Sequence, residues 1–306
     1  MPERELIDYI RELTDEQRSW LEVGVGDDAA VVETPGGGRL AVTTDMVVEG
    51  VHFESGTAVE LVGHKAVARG LSDIAAMASR PLFSLAAVHF GPGADDSGAR
   101  RLVSAIADAA QRYGAPLVGG DVCRGGRSLS VTVTAVGTPG PAGMLLRRGA
   151  RSGDAICVTG RLGGSIRGRH LTFSPRIEEA LALADGFNVH ALIDVSDGLS
   201  TDVLHIAEAS EVGVSLVEDA IPVSEDAVKL AEQTGRSAVE HALNDGEDYE
   251  LLFCLSERQA ERLLGQGLNG VEVSRVGEVT QAPESYLLRP DGGRECLRAG
   301  GWEYQV

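Results

Sequence analysis

Five short acidic turns, each set where an apolar run begins or ends, constrain this chain more than any other feature of it. They are Gly24-Val25-Gly26-Asp27-Asp28, Thr43-Thr44-Asp45, Ser72-Asp73, Gly119-Gly120-Asp121 and Asp194-Val195-Ser196-Asp197-Gly198. Apolar runs punctuated by glycine and aspartate read as alternating α and β elements with charged turns between them. An isolated Asp-Asp pair is ordinarily a solvated turn. Four companions of the same chemistry argue for a shared role instead.

Taken in order, residues 3–13 carry Leu6, Ile7, Ile10 and Leu13 at helical spacing. Residues 29–33 and 39–44 predict two strands joined by Pro35-Gly36-Gly37-Gly38. On an extended chain Thr43 and Asp45 face the same way, so a hydroxyl and a carboxylate can converge on one ligand. Residues 58–79 predict a helix stopped by Pro81, with Lys65, Arg69 and Asp73 along one face. That face is either a surface salt-bridge ladder or, given the small residues Ala75, Ala76 and Ala78, a closely packed one.

A strand at 82–90, a helix at 95–112 and a strand at 116–119 form a β-α-β run that discharges into Gly119-Gly120-Asp121. Glycines there would let backbone N–H groups approach an anion. Residues 128–136 alternate as a half-buried strand, and Thr138-Pro139-Gly140-Pro141-Ala142-Gly143 reads as a linker, so the expected domains are 1–140 and 141–306. In the second half, strands are expected at 154–159, 191–195 and 250–255, with helices at 175–185 and from Leu199 to about 210. Asp197 stands where it could cap that last helix, a role compatible with ligation. The fold class expected is α/β with mixed sheets, in two domains.

A formal charge of −19 argues against a nucleic-acid partner and favours cations. The only lysines, Lys65 and Lys229, lie outside any P-loop context. The four cysteines are far apart with no C-x-x-C pair, and no apolar run reaches membrane-spanning length, so a cytoplasmic protein is expected. Aspartates with neighbouring hydroxyls and glycines, without a His or Cys cluster, describe ligation of a hard cation such as Mg²⁺, commonly shared with substrate phosphates. Phosphoryl transfer follows as the expected chemistry.

These motifs, together with His52-Phe53, Lys65-Ala66, Leu71 to Met77, Arg147, Gly246-Glu247-Asp248-Tyr249-Glu250-Leu251 and the tail Gly301-Trp302-Glu303-Tyr304, resemble in order and spacing those of the thiamine-monophosphate kinase family. That family shares a superfamily with aminoimidazole ribonucleotide synthetase, selenophosphate synthetase and a hydrogenase-maturation protein. The resemblance implies transfer of the ATP γ-phosphate to thiamine monophosphate on several Mg²⁺ ions, without a general base. It implies metal ligation by Asp28, Thr43, Thr44, Asp45, Asp73, Asp121, Asp194 and Asp197. ATP contacts are implied for Tyr113, Gly120, Asp121, Arg147 and Ser196, and acceptor contacts for His52, Glu247 and Trp302, with Tyr304 the alternative to Trp302. It also implies a homodimer built through the N-terminal sheets.

Two stretches depart from the family pattern: Asn244-Asp245, where a Ser-Gly pair is common, and residues 160–175. Both bear on the acceptor more than on the reaction type. The competing expectations are a sister ATP-dependent enzyme with another acceptor, and a non-catalytic nucleotide or Mg²⁺-binding protein.

Overall fold

The computed structural model describes residues 3–14, 18–91, 93, 95–126 and 128–302. The helix expected at the start is α1 (Glu3–Thr14), whose Ile7, Ile10 and Leu13 remain exposed. Strands β1 (Leu21–Val23), β2 (Ala30–Glu33) and β3 (Arg39–Val48) follow, then helix α2 (Val59–Ala76), β4 (Ser79–Phe90), α3 (Asp96–Arg112), β5 (Leu117–Arg124) and β6 (Ser130–Pro139). Together these strands make a six-stranded sheet in the order β1-β2-β3-β6-β4-β5.

The second sheet has seven strands: β7 (Asp154–Thr159), β8 (Val189–Asp194), β9 (Gly213–Val217), β10 (Leu251–Ser256), β11 (Val273–Thr280), β12 (Tyr286–Leu288) and β13 (Arg294–Cys296), ordered β13-β12-β9-β11-β7-β10-β8. Helices α4 (Ile177–Gly186), α5 (Leu199–Ser210), α6 (Glu225–Thr234), α7 (Ala238–Asn244) and α8 (Glu257–Gln266) accompany it.

Alternation decides what each face of these sheets meets. In β7 and β10, Ala155, Cys157, Leu251, Phe253 and Leu255 face a core shared with α2, α4 and α8. Their neighbours Ile156, Val158, Leu252 and Cys254 face a second core under α5. The N-terminal sheet is covered on one side only: Ala86, Val88, Val131, Val133 and Ala135 pack towards α2, whereas Met46 and Leu85 remain exposed on the other side. α2 is buried on nearly every side, as an apolar helix between two layers must be.

Three local expectations are corrected. Pro81 does not stop α2; the helix ends at Ala76, Ala78 turns the chain at φ +47°, and Pro81 sits inside β4 beside a register shift. Gly119-Gly120-Asp121 does not follow a strand but lies within β5, which runs parallel to β4 as an exposed edge. Glycine is needed there because a Cβ at Gly120 would meet the Ala86 carbonyl oxygen at 1.8 Å. Likewise Thr43-Thr44-Asp45 is the middle of β3 rather than its end.

Candidate active site

Three elements from both halves of the chain deliver carboxylates to one point. Asp28 comes from the turn before β2, Asp73 from the last turns of α2 and Asp194 from the end of β8, with one oxygen of each within 4.8 Å of the others. Thr43 Oγ1 donates to Asp73 Oδ2 at 2.6 Å, and Ser72 Oγ donates to Asp194. The Arg147 guanidinium donates to Asp28 Oδ1 at 2.6 Å, while Asp28 Oδ2 is buried with no hydrogen-bond partner. Asp45 lies alongside, paired with Arg69 at 3.3 Å. Asp27 accepts the backbone N–H of Arg147 at 3.3 Å, so it fixes the segment that carries the arginine.

Burial, then the charge of Asp28, pushes the Asp194 carboxyl up to about 7. Burial followed by Asp45, Asp194 and Asp28 raises Asp73 well above its ordinary value. Crowded like charges in a dry site, one of them with an orphaned oxygen, fit a hard divalent cation of the Mg²⁺ type.

A second group stands at the start of α5, where Asp197, Asp202 and His205 come within 4.8 Å of one another. Asp197 is not the helix cap. Gly198 holds the N-cap position one residue further on, and Asp202, one turn in, accepts the backbone N–H groups of Asp197 at 3.2 Å and Gly198 at 3.0 Å. Burial pushes Asp197 up to about 6. The C-terminal segment lies across this turn: Gly301 N–H donates to Thr201 Oγ1 at 3.1 Å and Trp302 N–H to the Asp197 carbonyl at 3.0 Å. The Trp302 side chain is exposed, and Glu303 and Tyr304 lie outside the described residues.

The Gly246-to-Glu250 turn is stitched directly onto the Asp194-to-Gly198 turn. Val195 N–H donates to the Glu250 carbonyl, Tyr249 N–H to Val195 and Glu247 N–H to Ser196, each at 2.7 Å. Glu247 and Tyr249 hold φ values of +53° and +51°, strained for residues with a Cβ, and the Tyr249 ring stacks on Phe173 at 4.0 Å. The Glu247 carboxylate receives Lys65 Nζ at 2.6 Å and lies 3.1 Å from His170 Nδ1. Burial would raise this carboxyl, but His170 and Lys65 outweigh it and hold it down at about 2. Lys65 Nζ also donates to the His52 carbonyl at 2.6 Å, and the His52 ring accepts the Val48 N–H at 3.1 Å. Burial, then Arg69, keeps His52 down at about 4.

The two departures from the family pattern are structural in this chain. Asp245 accepts the Gly164 N–H at 3.0 Å and bonds His241 at 2.9 Å. Segment 160–175 is pinned through Arg169 to Asp248, and the Ser165 hydroxyl donates to the Glu247 carbonyl at 2.7 Å. Just beyond it, Arg176 bonds both oxygens of Glu250 at 2.7 Å.

Not every expected residue joins these groups. Thr44 turns away from Thr43, with its hydroxyl 3.2 Å from that of Thr134 on the uncovered sheet face. By strand register, Asp121 opposes the exposed Ala87 on that same face. Tyr113 ends α3 beside His64 and Ser174, away from the carboxylates. Sequence reasoning gave no site role to Ser72 or His170 and passed over Asp202 and His205. The i, i+3 spacing of Asp202 and His205 in the helix that follows Asp197 was a usable signal for two of them.

This two-domain architecture, with carboxylates from both halves brought to one point, matches the N-terminal domain of AIR synthase related proteins over residues 26–138 and their C-terminal domain over 138–288. The chain belongs to that family and, within it, to the thiamine-monophosphate kinases. The thiamine-monophosphate kinase of Rhodopirellula baltica is 41% identical over 90% of this chain and 89% of its own length. The solved structure described as AaThiL complexed with AMPPCP and TMP superposes with a TM-score of 0.85 at 27% identity, covering 99% of this chain and 97% of that one. The Escherichia coli hydrogenase maturation protein HypE, at a TM-score of 0.73 and 21% identity over 98% of both chains, shares the fold alone. Among the described residues no helix is long and apolar enough to cross a membrane.

Proposed function

We propose that this chain transfers the γ-phosphoryl group of ATP to thiamine monophosphate, yielding thiamine diphosphate and ADP. The observation that carries the reading is the meeting of Asp28, Asp73 and Asp194 around an unpartnered carboxylate oxygen. An oxygen of the acceptor phosphate forms the new bond to the γ-phosphorus, and the β–γ bridge breaks with its electron pair leaving on ADP. A phosphate monoester with a second pKa of about 6 is already largely ionised at neutral pH, so no side chain need act as base. Mg²⁺, when bound, neutralises phosphate charge that would otherwise keep donor and acceptor apart. Asp28, Asp73 and Asp194 would hold it, with Thr43, Thr44, Asp45, Asp121 and Asp197 as further ligands.

Arg147 is oriented by Asp27 and Asp28 and serves ATP together with Tyr113, Gly120, Asp121 and Ser196. His52, Glu247 and Trp302 serve the acceptor, whose cationic thiazolium and amino groups suit a carboxylate and an aromatic ring. Residues 1–140 form the ATP- and Mg²⁺-binding half, and 141–306 complete the site. The exposed Met46, Leu85, Val118 and Val122 on and beside the uncovered sheet face support a homodimer closed there. Such closure would bring Thr44 and Asp121 into play. The working compartment is the cytoplasm.

Purified protein given ATP, Mg²⁺ and thiamine monophosphate is expected to form thiamine diphosphate with stoichiometric ADP. Product from free thiamine only, or none despite ATP binding, sinks the reading.

A further inference from the structure

Among the described residues Lys65 is one of the largest side chains wholly removed from solvent, and it sits in the first half of α2. An ammonium group has three protons to place. Two find acceptors outside its own helix, the His52 carbonyl at 2.6 Å and Glu247 Oε1 at 2.6 Å, and His170 Nδ1, which also stands 3.1 Å from Glu247 Oε2, lies 2.7 Å from the ammonium. For stability alone, an apolar side chain of similar volume in place of such a pair is often no worse.

Glu247 is fixed everywhere except at its side chain. Its N–H is held by Ser196, its carbonyl by Ser165 and its backbone sits at a positive φ. The direction of the carboxylate is left to Lys65 and His170 behind it and to the Tyr249 hydroxyl at 3.3 Å. The Glu247 side chain remains 25% exposed while that of Lys65 is 0% exposed, so the lysine grips the carboxylate from the rear and leaves its open side for a ligand.

We propose that Lys65 is the positioning residue of the acceptor site: it fixes the His52 backbone of its own half and the Glu247 carboxylate of the opposite half in one register. This rests on the assignment of His52 and Glu247 to thiamine monophosphate made above. His170, from the segment that departs from the family pattern, locks the same arrangement.

The test is a double-mutant cycle of Lys65→Met and Glu247→Gln, reading KM for thiamine monophosphate, KM for ATP and folding by thermal melting. Glu247→Gln is expected to raise KM for thiamine monophosphate about 10- to 100-fold, as loss of a hydrogen bond to a charged group does, with KM for ATP unchanged. Lys65→Met is expected to do the same, and the double variant to match Glu247→Gln alone. If Lys65→Met proves too unstable to assay, the double variant decides, because it leaves no unpaired carboxylate. A double variant tenfold worse than Glu247→Gln, or unable to fold where Glu247→Gln folds, overturns the proposal. A folded Lys65→Met with normal KM values overturns it too. An unchanged KM in Glu247→Gln would instead overturn the acceptor assignment itself.

Discussion

One face of α2 carries two buried charged clusters about 12 Å apart, Lys65 at one end and Asp73 at the other. Around Lys65 the charges are of opposite sign and the donors are matched to acceptors. Around Asp73 three carboxylates crowd together and one oxygen has no partner. The first arrangement is complete within the protein; the second is complete only with something brought from outside. Complementary charge marks where the fold orients a group, and uncompensated charge marks where it acts.

The largest expected effect separates the two ends. Asp194→Asn is expected to lower kcat by about 10²- to 10³-fold, the scale of losing one transition-state charge stabiliser, yet to raise the stability of the metal-free protein. The sign follows from the raised pKa: the folded state holds a proton that the unfolded chain releases near pH 4, so this contribution is full below pH 4 and lost as pH rises through about 7. The wild-type protein should therefore lose stability relative to Asp194→Asn between those limits, and Mg²⁺ should stabilise it more at pH 8 than at pH 6. A stability gap independent of pH would break the comparison.

At the other end the sign reverses. Lys65→Met is expected to cost about 3 kcal/mol by denaturant titration, since it leaves a partly buried carboxylate unpaired. Equal or greater stability in that variant would erase the distinction between the clusters. The smallest effect belongs to Trp302, whose backbone N–H donates to the Asp197 carbonyl while its ring stays exposed. Trp302→Ala should leave melting unchanged and raise KM for thiamine monophosphate about 2- to 30-fold, the range of a cation–π contact.

Much of the fold was legible because alternation and helical spacing report burial directly. The strand at 154–159 and the helix from Leu199 are where apolar periodicity put them. Local breakers were less reliable: Pro81 reads as a helix stop, but the turn is made by Ala78, whose positive φ no residue type announces. The same-side placement of Thr43 and Asp45 was readable from strand geometry, whereas Thr44 required the resemblance and faces elsewhere. The Asp197 cap failed because Gly198, one position further on, holds the N-cap place, its carbonyl accepting the first helical N–H groups of Thr201 and Asp202. Lys65 and Glu247 lie 182 positions apart by their numbering, so only tertiary packing could reveal their pairing.

The double-faced packing of β7, β8 and β10 has a dynamic consequence. Amides in a ribbon covered on both sides become accessible only through large-scale opening, whereas an edge strand such as β5 frays locally. Asp194 ends β8, which is also an edge in pairing but, unlike β5, is buried on both faces, so it keeps its position through the small fluctuations that continually release the periphery.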